Sequence, residues 1–415
     1  MIDLFLTLMF ILVLSRIFGE LMERRRLPVI VGEIVIGLIL GPPVLGLIEP
    51  GPEFKVIVDL SLFFIIFTTG MEFSLDHVKR NIRRSLFISL MGNNIAFFGG
   101  IFIALVLGFD IMVALFIGCV FSLTALPVAL RILNDLGAEK TPLGRLVISS
   151  SIMDDLFSVI LLSFILPLAL TNDHSIWNVL LVISKMVFFL FIVFAINRFL
   201  QWRNETPSRF IMHYIRKFHS REAEFTIVLM VGLALAFLGE LLGVTFIIGA
   251  FYAGAIIGEN VIGRQAYQKV NSNLNTITFG FFGPLFFAYI GMNFIDRNFW
   301  LESSINETVL FLIFALLLIV LAFFSKAIGS YFGARLANIK KHSAQAVGLA
   351  MNSRGLMGLV IADIGYELNI IDKEILSLLI IMSIATTLMT PFFLKWFLKK
   401  NPSALELEKK PESAK

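Results

Sequence analysis

The chain has 415 residues, of which 58% are hydrophobic and only 15% charged, and its mean hydropathy is +0.89. Soluble domains carry about 25% charged residues, so this composition excludes an ordinary soluble enzyme and specifies a polytopic membrane protein with the lipid bilayer as its surroundings. The net charge of +4 is spread over short loops, not a patch, which excludes nucleic acid as a partner, and the single cysteine, Cys119, excludes a disulfide framework.

A spanning helix needs roughly 20 mostly apolar residues. The first lies at 2–20, in "MIDLFLTLMFILVLSRIFGELMERRR". It opens on an acid and its charges follow the apolar run, the reverse of a secretory signal. Further spans are predicted near 28–48, 56–74, 84–108, 111–133, 145–170, 175–198, 222–242, 244–262, 275–296, 307–334, 343–367 and 374–397, which makes thirteen. Only a short gap separates the spans at 222–242 and 244–262.

Alternate loops are basic: Arg24 to Arg26; Lys79, Arg80, Arg83 and Arg84; Arg131, Lys140 and Arg145; six cations in 198–221; Arg264 and Lys269; Arg335, Lys340 and Lys341. The intervening loops hold only Lys55, Arg297 and Lys373. By the positive-inside rule the N-terminus is outside and the C-terminus cytoplasmic, in a cell membrane. The tail "NPSALELEKKPESAK", residues 401–415, reads as short, polar and disordered, with no soluble regulatory domain in this chain.

An internal repeat emerges in the second span. "GEIVIGLILGPPVLG" (32–46) and "GAFYAGAIIGENVIG" (249–263) share glycines at 32/249, 37/254, 41/258 and 46/263, all offset by 217. One span later, "FFIIFTTGMEFS" and "LFFAYIGMNFI" share G-M-x-F. The second span starts inside and its counterpart outside. The expected architecture is therefore all-α, with two inverted-topology repeats of six helices and a connecting seventh. Inverted repeats are a signature of secondary transporters, whose sites lie at the repeat interface near mid-membrane.

The same correspondence points to two broken helices. Pro127 lies inside the fifth span, in "SLTALPVAL", and the twelfth span carries "MNSRGLMG", with Asn352, Arg354 and Gly355. Breaks at matching places free backbone carbonyls to ligate a cation, and half-helix ends supply partial charges. A proline kink is the bland reading of either break alone. Arg354 is expected to stabilise the crossed helices.

Between them lies "ISSSIMDDLFSVILLSFI" (148–165). Asp154 and Asp155 sit nine and ten residues beyond Arg145, about 14 Å deep at 1.5 Å per residue. Lys326 lies nine residues from Arg335, and Thr124 seven from Arg131, at a similar depth. An unpaired mid-membrane charge costs roughly 2.5–3.5 kcal/mol. Lys326 can neutralise one carboxylate, and neighbouring helix positions point about 100° apart. The expected division is Asp154 to Lys326 and Asp155 to the ion. Ser151 and Thr124 offer oxygen ligands for a monovalent cation, although back-bonding to the helix is as good a reading for each hydroxyl alone. Protons and a metal cation would compete for one carboxylate, and competition enforces antiport. Glu33, Asp59, Glu240, Glu259 and Asp363 are placed nearer span ends, with bland roles. Lys185 reads as structural. Asn93 and Asn94 are expected to bond between helices.

These stretches resemble the monovalent cation/proton antiporter-2 family over nearly the whole chain. "LPVIVGEIVIGLILGPPVLGLI" looks like its second span, "SLTALPVALRILNDLGAEKTPLGRLVISSSIMDDL" resembles its most diagnostic region, and "GLAMNSRGLMGLVIADIG" its second broken helix. The resemblance implies a homodimer. The dimerisation domain would comprise 1–76 and 222–298, and the mobile, elevator-like core 77–172 and 299–400, joined by a linker at 173–221. It implies Asp155 as the principal cation and proton site, and Asp154 with Lys326 as the pair of electrogenic sodium/proton antiporters. No cofactor is implied; Na+, Li+ or K+ and H+ are cargo. Two departures stand out: Leu356 replaces an acid common in relatives, and no nucleotide-binding domain of gated potassium-efflux systems follows.

The expected function is exchange of a monovalent cation, Na+ or Li+ favoured, for protons. K+/H+ exchange stays open, because carboxylates with hydroxyls suit either ion. Sodium-coupled symport of an organic anion would want a larger polar cavity. An intramembrane aspartyl protease needs its two aspartates facing each other from two helices, which adjacent residues on one helix cannot do, so no enzymatic role is expected.

Overall fold

The computed structural model describes residues 2–25, 27–72, 81–124, 129–130, 133–134, 136–170, 176–202, 222–257, 259–295, 297–354 and 356–407. The described residues are helical, with no strand among them. The helices are α1 (Ile2–Arg24), α2 (Val29–Leu40), α3 (Pro52–Glu72), α4 (Ile82–Val106), α5 (Ile111–Ser122), α6 (Pro142–Leu170) and α7 (Ile176–Trp202). They continue as α8 (Ala223–Leu241), α9 (Phe246–Ile256), α10 (Arg264–Ile277), α11 (Gly283–Met292), α12 (Ile305–Leu336), α13 (Lys341–Ala350), α14 (Leu356–Glu367) and α15 (Lys373–Lys400). Among the described residues, eight helical stretches are long and apolar enough to cross a membrane.

Local chemistry sets several starts. Ser304 and Glu307 form a capping box at α12, and Asp110 and Asp372 accept backbone N–H groups at α5 and α15. The short gap between α8 and α9 is a tight turn. Gly243 has φ +70° there, and Glu240 accepts the Phe246 N–H. The stretch 263–274, expected as a basic loop between two spans, instead falls almost wholly in α10. Its apolar stripe of Ala266, Val270 and Leu274 is buried, and it runs through a π-turn at Thr278–Phe282 into α11. The described part of the expected disordered tail is also built differently: Pro402–Leu405 form a 3-10 turn, Ala404 and Leu407 are buried, and Ser343 donates to the Glu406 carbonyl. Apolar side chains interspersed among the polar ones give that turn something to bury.

The helices pack in two groups. α1, α2, α3, α8, α9, α10 and α11 pack chiefly on one another, as do α4, α5, α6, α12, α13, α14 and α15. The repeat glycines decide the first group's geometry. A Cβ on Gly32 would meet the Phe18 backbone of α1 at 2.9 Å, and one on Gly249 the Leu235 carbonyl of α8 at 2.3 Å. One on Gly37 would lie 1.8 Å from the Ala288 carbonyl, and one on Gly254 2.2 Å from that of Phe67. Gly291 meets Ile34 and Gly70 meets Phe251 in the same way, at 2.1 and 2.2 Å. Glycines matched in sequence thus make matched backbone contacts in space. Gly46 and Gly263 both adopt positive φ, and Gly258 lies outside the described residues.

Gly37→Ala and Gly254→Ala should each cost about 3 kcal/mol by forcing helices apart. Gly280→Ala, where an added methyl meets nothing within 4 Å, should stay within about 1 kcal/mol of native. Thermal unfolding in detergent reads all three.

Candidate ion-binding site

Close packing of α4 on α12 builds the site. Cβ atoms on Gly329 and Gly333 would meet the Met91 and Phe87 carbonyls at 2.7 and 2.4 Å, so the two backbones nearly touch. That approach brings Lys326 against Asn93 of α4, one turn from Ser89. Gly100 and Gly118 bring α4 equally close to α5.

Lys326 and Asp154 are both 0% exposed, and the ammonium lies 2.6 Å from Asp154 Oδ2. It also donates to Asn93 Oδ1 at 2.6 Å and to the Ser122 carbonyl. An ammonium has three donors, and all three are used. Asp154 is equally saturated: Ser89 donates to Oδ1, and Thr124 Oγ1 lies 2.6 Å from Oδ2. Thr124 also lies 2.9 Å from the Met351 carbonyl, so its single proton serves one acceptor at a time. The charges cancel and their hydrogen-bonding groups are met, which is the condition for holding two ions in a dry interior.

Asp155 is the next residue on α6 and retains 8% of its surface. Ser151, one turn before it, is buried and its Oγ lies 3.6 Å from Met351 Sδ. It does not back-bond, unlike Ser158 and Ser163, which donate to carbonyls four residues earlier.

The helix breaks supply the walls. α5 stops at Ser122, where Leu123 turns extended, and α13 stops at Ala350 with residues 351–354 non-helical before α14. Pro127 and Gly355, expected at the breaks, lie outside the described residues. Arg354 is 1% exposed and donates to the carbonyls of Val120 at 2.9 Å and Ala322 at 2.7 Å. Its guanidinium also lies 5.2 Å from the centre of the Phe121 ring. Asn352 donates to the Phe323 carbonyl at 2.9 Å, and Thr387 donates to the Arg354 carbonyl.

Among the described residues, the chain's own side chains engage carbonyls at both breaks. Val120 and Ser122 sit in the last turn of α5, where carbonyls lack intrahelical partners. Arg354 and Lys326 take them, and Thr124 reaches that of Met351. Cations at a helix C-terminus also meet the negative end of its dipole. Among the described residues, packing against α12 thus gives the Val120 and Ser122 carbonyls donors from the chain itself. A narrow cleft lined by Pro28, Val31, Ile34, Arg354, Ser383 and Thr387 runs between α2 and the second break.

Two other expectations change. Glu33 and Asp363, assigned to hydrated span ends, are 6% and 2% exposed, because α2 and α14 are covered by neighbouring helices. Asn93 bonds across helices to Lys326, but Asn94 donates to Leu90 of its own helix and is exposed. Sequence reasoning missed Ser89; the available signal was its i, i+4 spacing from Asn93 in an apolar helix.

A family model described as "Sodium/hydrogen exchanger, transmembrane" matches residues 8–400. The chain is 30% identical over 411 residues to the Na(+)/H(+)-K(+) antiporter GerN of Bacillus cereus, covering 98% of this chain and 99% of that one. It is 28% identical over 393 residues to a Na(+)/H(+) antiporter of Enterococcus hirae, covering 94% and 97%. Its fold is similar to the sodium proton antiporter MjNhaP1 of Methanocaldococcus jannaschii, solved at pH 8, with a TM-score of 0.67, 18% identity and 96% and 95% coverage.

Proposed function

The chain belongs to the sodium/hydrogen exchanger family of membrane transporters, and from that premise we propose that it exchanges a monovalent cation for protons at Asp155. The observation that carries this reading is the saturation of Asp154. Lys326, Ser89 and Thr124 hold that carboxylate, while Asp155, the next residue on α6, retains 8% of its surface. One member of the doublet is a structural charge and the other carries cargo. Ser151 flanks the cargo carboxylate. Thr124 is a positioning residue, acting through Asp154.

Antiport follows from energetics. Moving an empty, charged Asp155 through the membrane interior costs of order 3 kcal/mol, about a 100-fold penalty in rate at 1.4 kcal/mol per tenfold. Loading with either a proton or a metal cation removes that charge, so the site crosses loaded. The two helix groups supply the moving parts. We assign α4–α6 with α12–α15 to a core that slides, elevator-like, past α1–α3 with α8–α11. The latter would form the homodimer contact. The matched glycine contacts support two inverted halves joined by α7; thirteen spans with the basic loops and C-terminus cytoplasmic is the topology the positive-inside rule favours. The paired Asp154–Lys326 charges favour electrogenic exchange. Na+ or Li+ is the preferred cargo; the name of the Bacillus cereus relative gives K+ specific support as an alternative.

Reconstitution in liposomes with a trapped pH dye tests this. Adding external Na+, Li+ or K+ should drive protons the other way, and an imposed membrane potential should change the rate. No pH response to any of the three cations would overturn exchange, and a response indifferent to potential would overturn electrogenicity.

A further inference from the structure

At the end of the helix-group seam away from Pro28, a second set of charges meets across α3, α11 and α14. Lys55 Nζ lies 2.9 Å from Asp59 Oδ1 and 2.6 Å from Glu367 Oε1. Tyr289 donates to the same Glu367 oxygen at 2.5 Å, and Lys55 stands 5.2 Å from the centre of the Tyr289 ring. Asp363, one turn before Glu367 on α14, faces this group and is 2% exposed, and its Oδ1 has no protein partner. Asn293, which ends α11 one turn beyond Tyr289, is 7% exposed. Three carboxylates thus face a single ammonium. A buried carboxylate oxygen without a donor is costly to keep, and α14 runs from the second break to this point.

We propose that Asp59, Glu367 and Asp363 form a second monovalent-cation seat at this end of the seam, and that the Lys55 ammonium occupies it as a tethered stand-in for the ion. The lysine head is a compact point charge, and the oxygens around it are those a small cation would take. Lys55 holds α3 to α14 while it sits there, so an arriving cation competes with the chain's own ammonium and frees the two helix groups. The inference rests on the antiport reading only in naming the ligand a monovalent cation.

The test uses the full chain in detergent carrying Asp155→Asn, so that the central site does not contribute. Thermal unfolding is followed as NaCl, LiCl or KCl replaces N-methylglucamine chloride at constant ionic strength and pH 8.5. Adding Lys55→Met should produce a saturable, cation-dependent rise in Tm. That rise should disappear on further adding Glu367→Gln or Asp363→Asn, each compared with its own N-methylglucamine baseline to separate binding from stability. No rise in the Lys55→Met chain, an equal rise with Lys55 retained, or a rise that survives Glu367→Gln would overturn the seat. Because the readout is binding, these outcomes are independent of whether Asp155 carries transport.

Discussion

Asp155→Asn should abolish cation-driven proton movement in proteoliposomes, down to the level of empty vesicles, while the protein still folds. Asparagine matches aspartate in shape and keeps hydrogen-bonding capacity, but it neither titrates nor offers a charge to a cation. The residue retains 8% exposure and stands beside the saturated Asp154 group. Unfolding free energy should therefore change by no more than about 1 kcal/mol. A trapped-dye assay with Na+, Li+ and K+ reads the first claim and thermal unfolding the second. Exchange within a few-fold of the native rate would remove Asp155 from the mechanism.

Lys326→Met should produce a larger loss of stability. It removes the cation bonded to Asp154 and leaves a fully buried carboxylate with two hydroxyl partners, Ser89 and Thr124. Breaking one side of a buried pair costs about 3–5 kcal/mol, whereas replacing both sides is far less damaging. The double variant Asp154→Asn, Lys326→Met should therefore recover at least half of the stability lost by Lys326→Met alone. Size-exclusion profiles and unfolding curves of the two variants make the comparison. If both are equally destabilised, the loss comes from lysine packing, and the account of Asp154 as an obligate partner fails.

The legible parts of the site were those written as charge in an apolar context. A doublet of aspartates and a lysine at one depth can be counted from Arg145 and Arg335, because a helix advances a constant 1.5 Å per residue. Ser89 was not legible, since a serine in an apolar helix usually satisfies itself on its own backbone. Only the packing of α4 on α6 brings it to Asp154. The second break is readable from Asn352 and Arg354 in an otherwise apolar span. Sequence shows that carbonyls are released at the breaks, and only packing shows that Arg354 and Lys326 claim them.

Membrane class, most of the helix-forming segments and the pairing of glycines at a constant offset are readable in the chain alone. Each follows from composition, periodicity or spacing, which are properties of the chain in one dimension. Packing adds that Asp154 is paired with Lys326, that Asp363 and Glu33 are buried, and that Lys55 bridges the seam. Burial and partnership depend on which helix surfaces meet. In this chain those meetings are controlled by glycines that let backbones approach until no side chain fits between them.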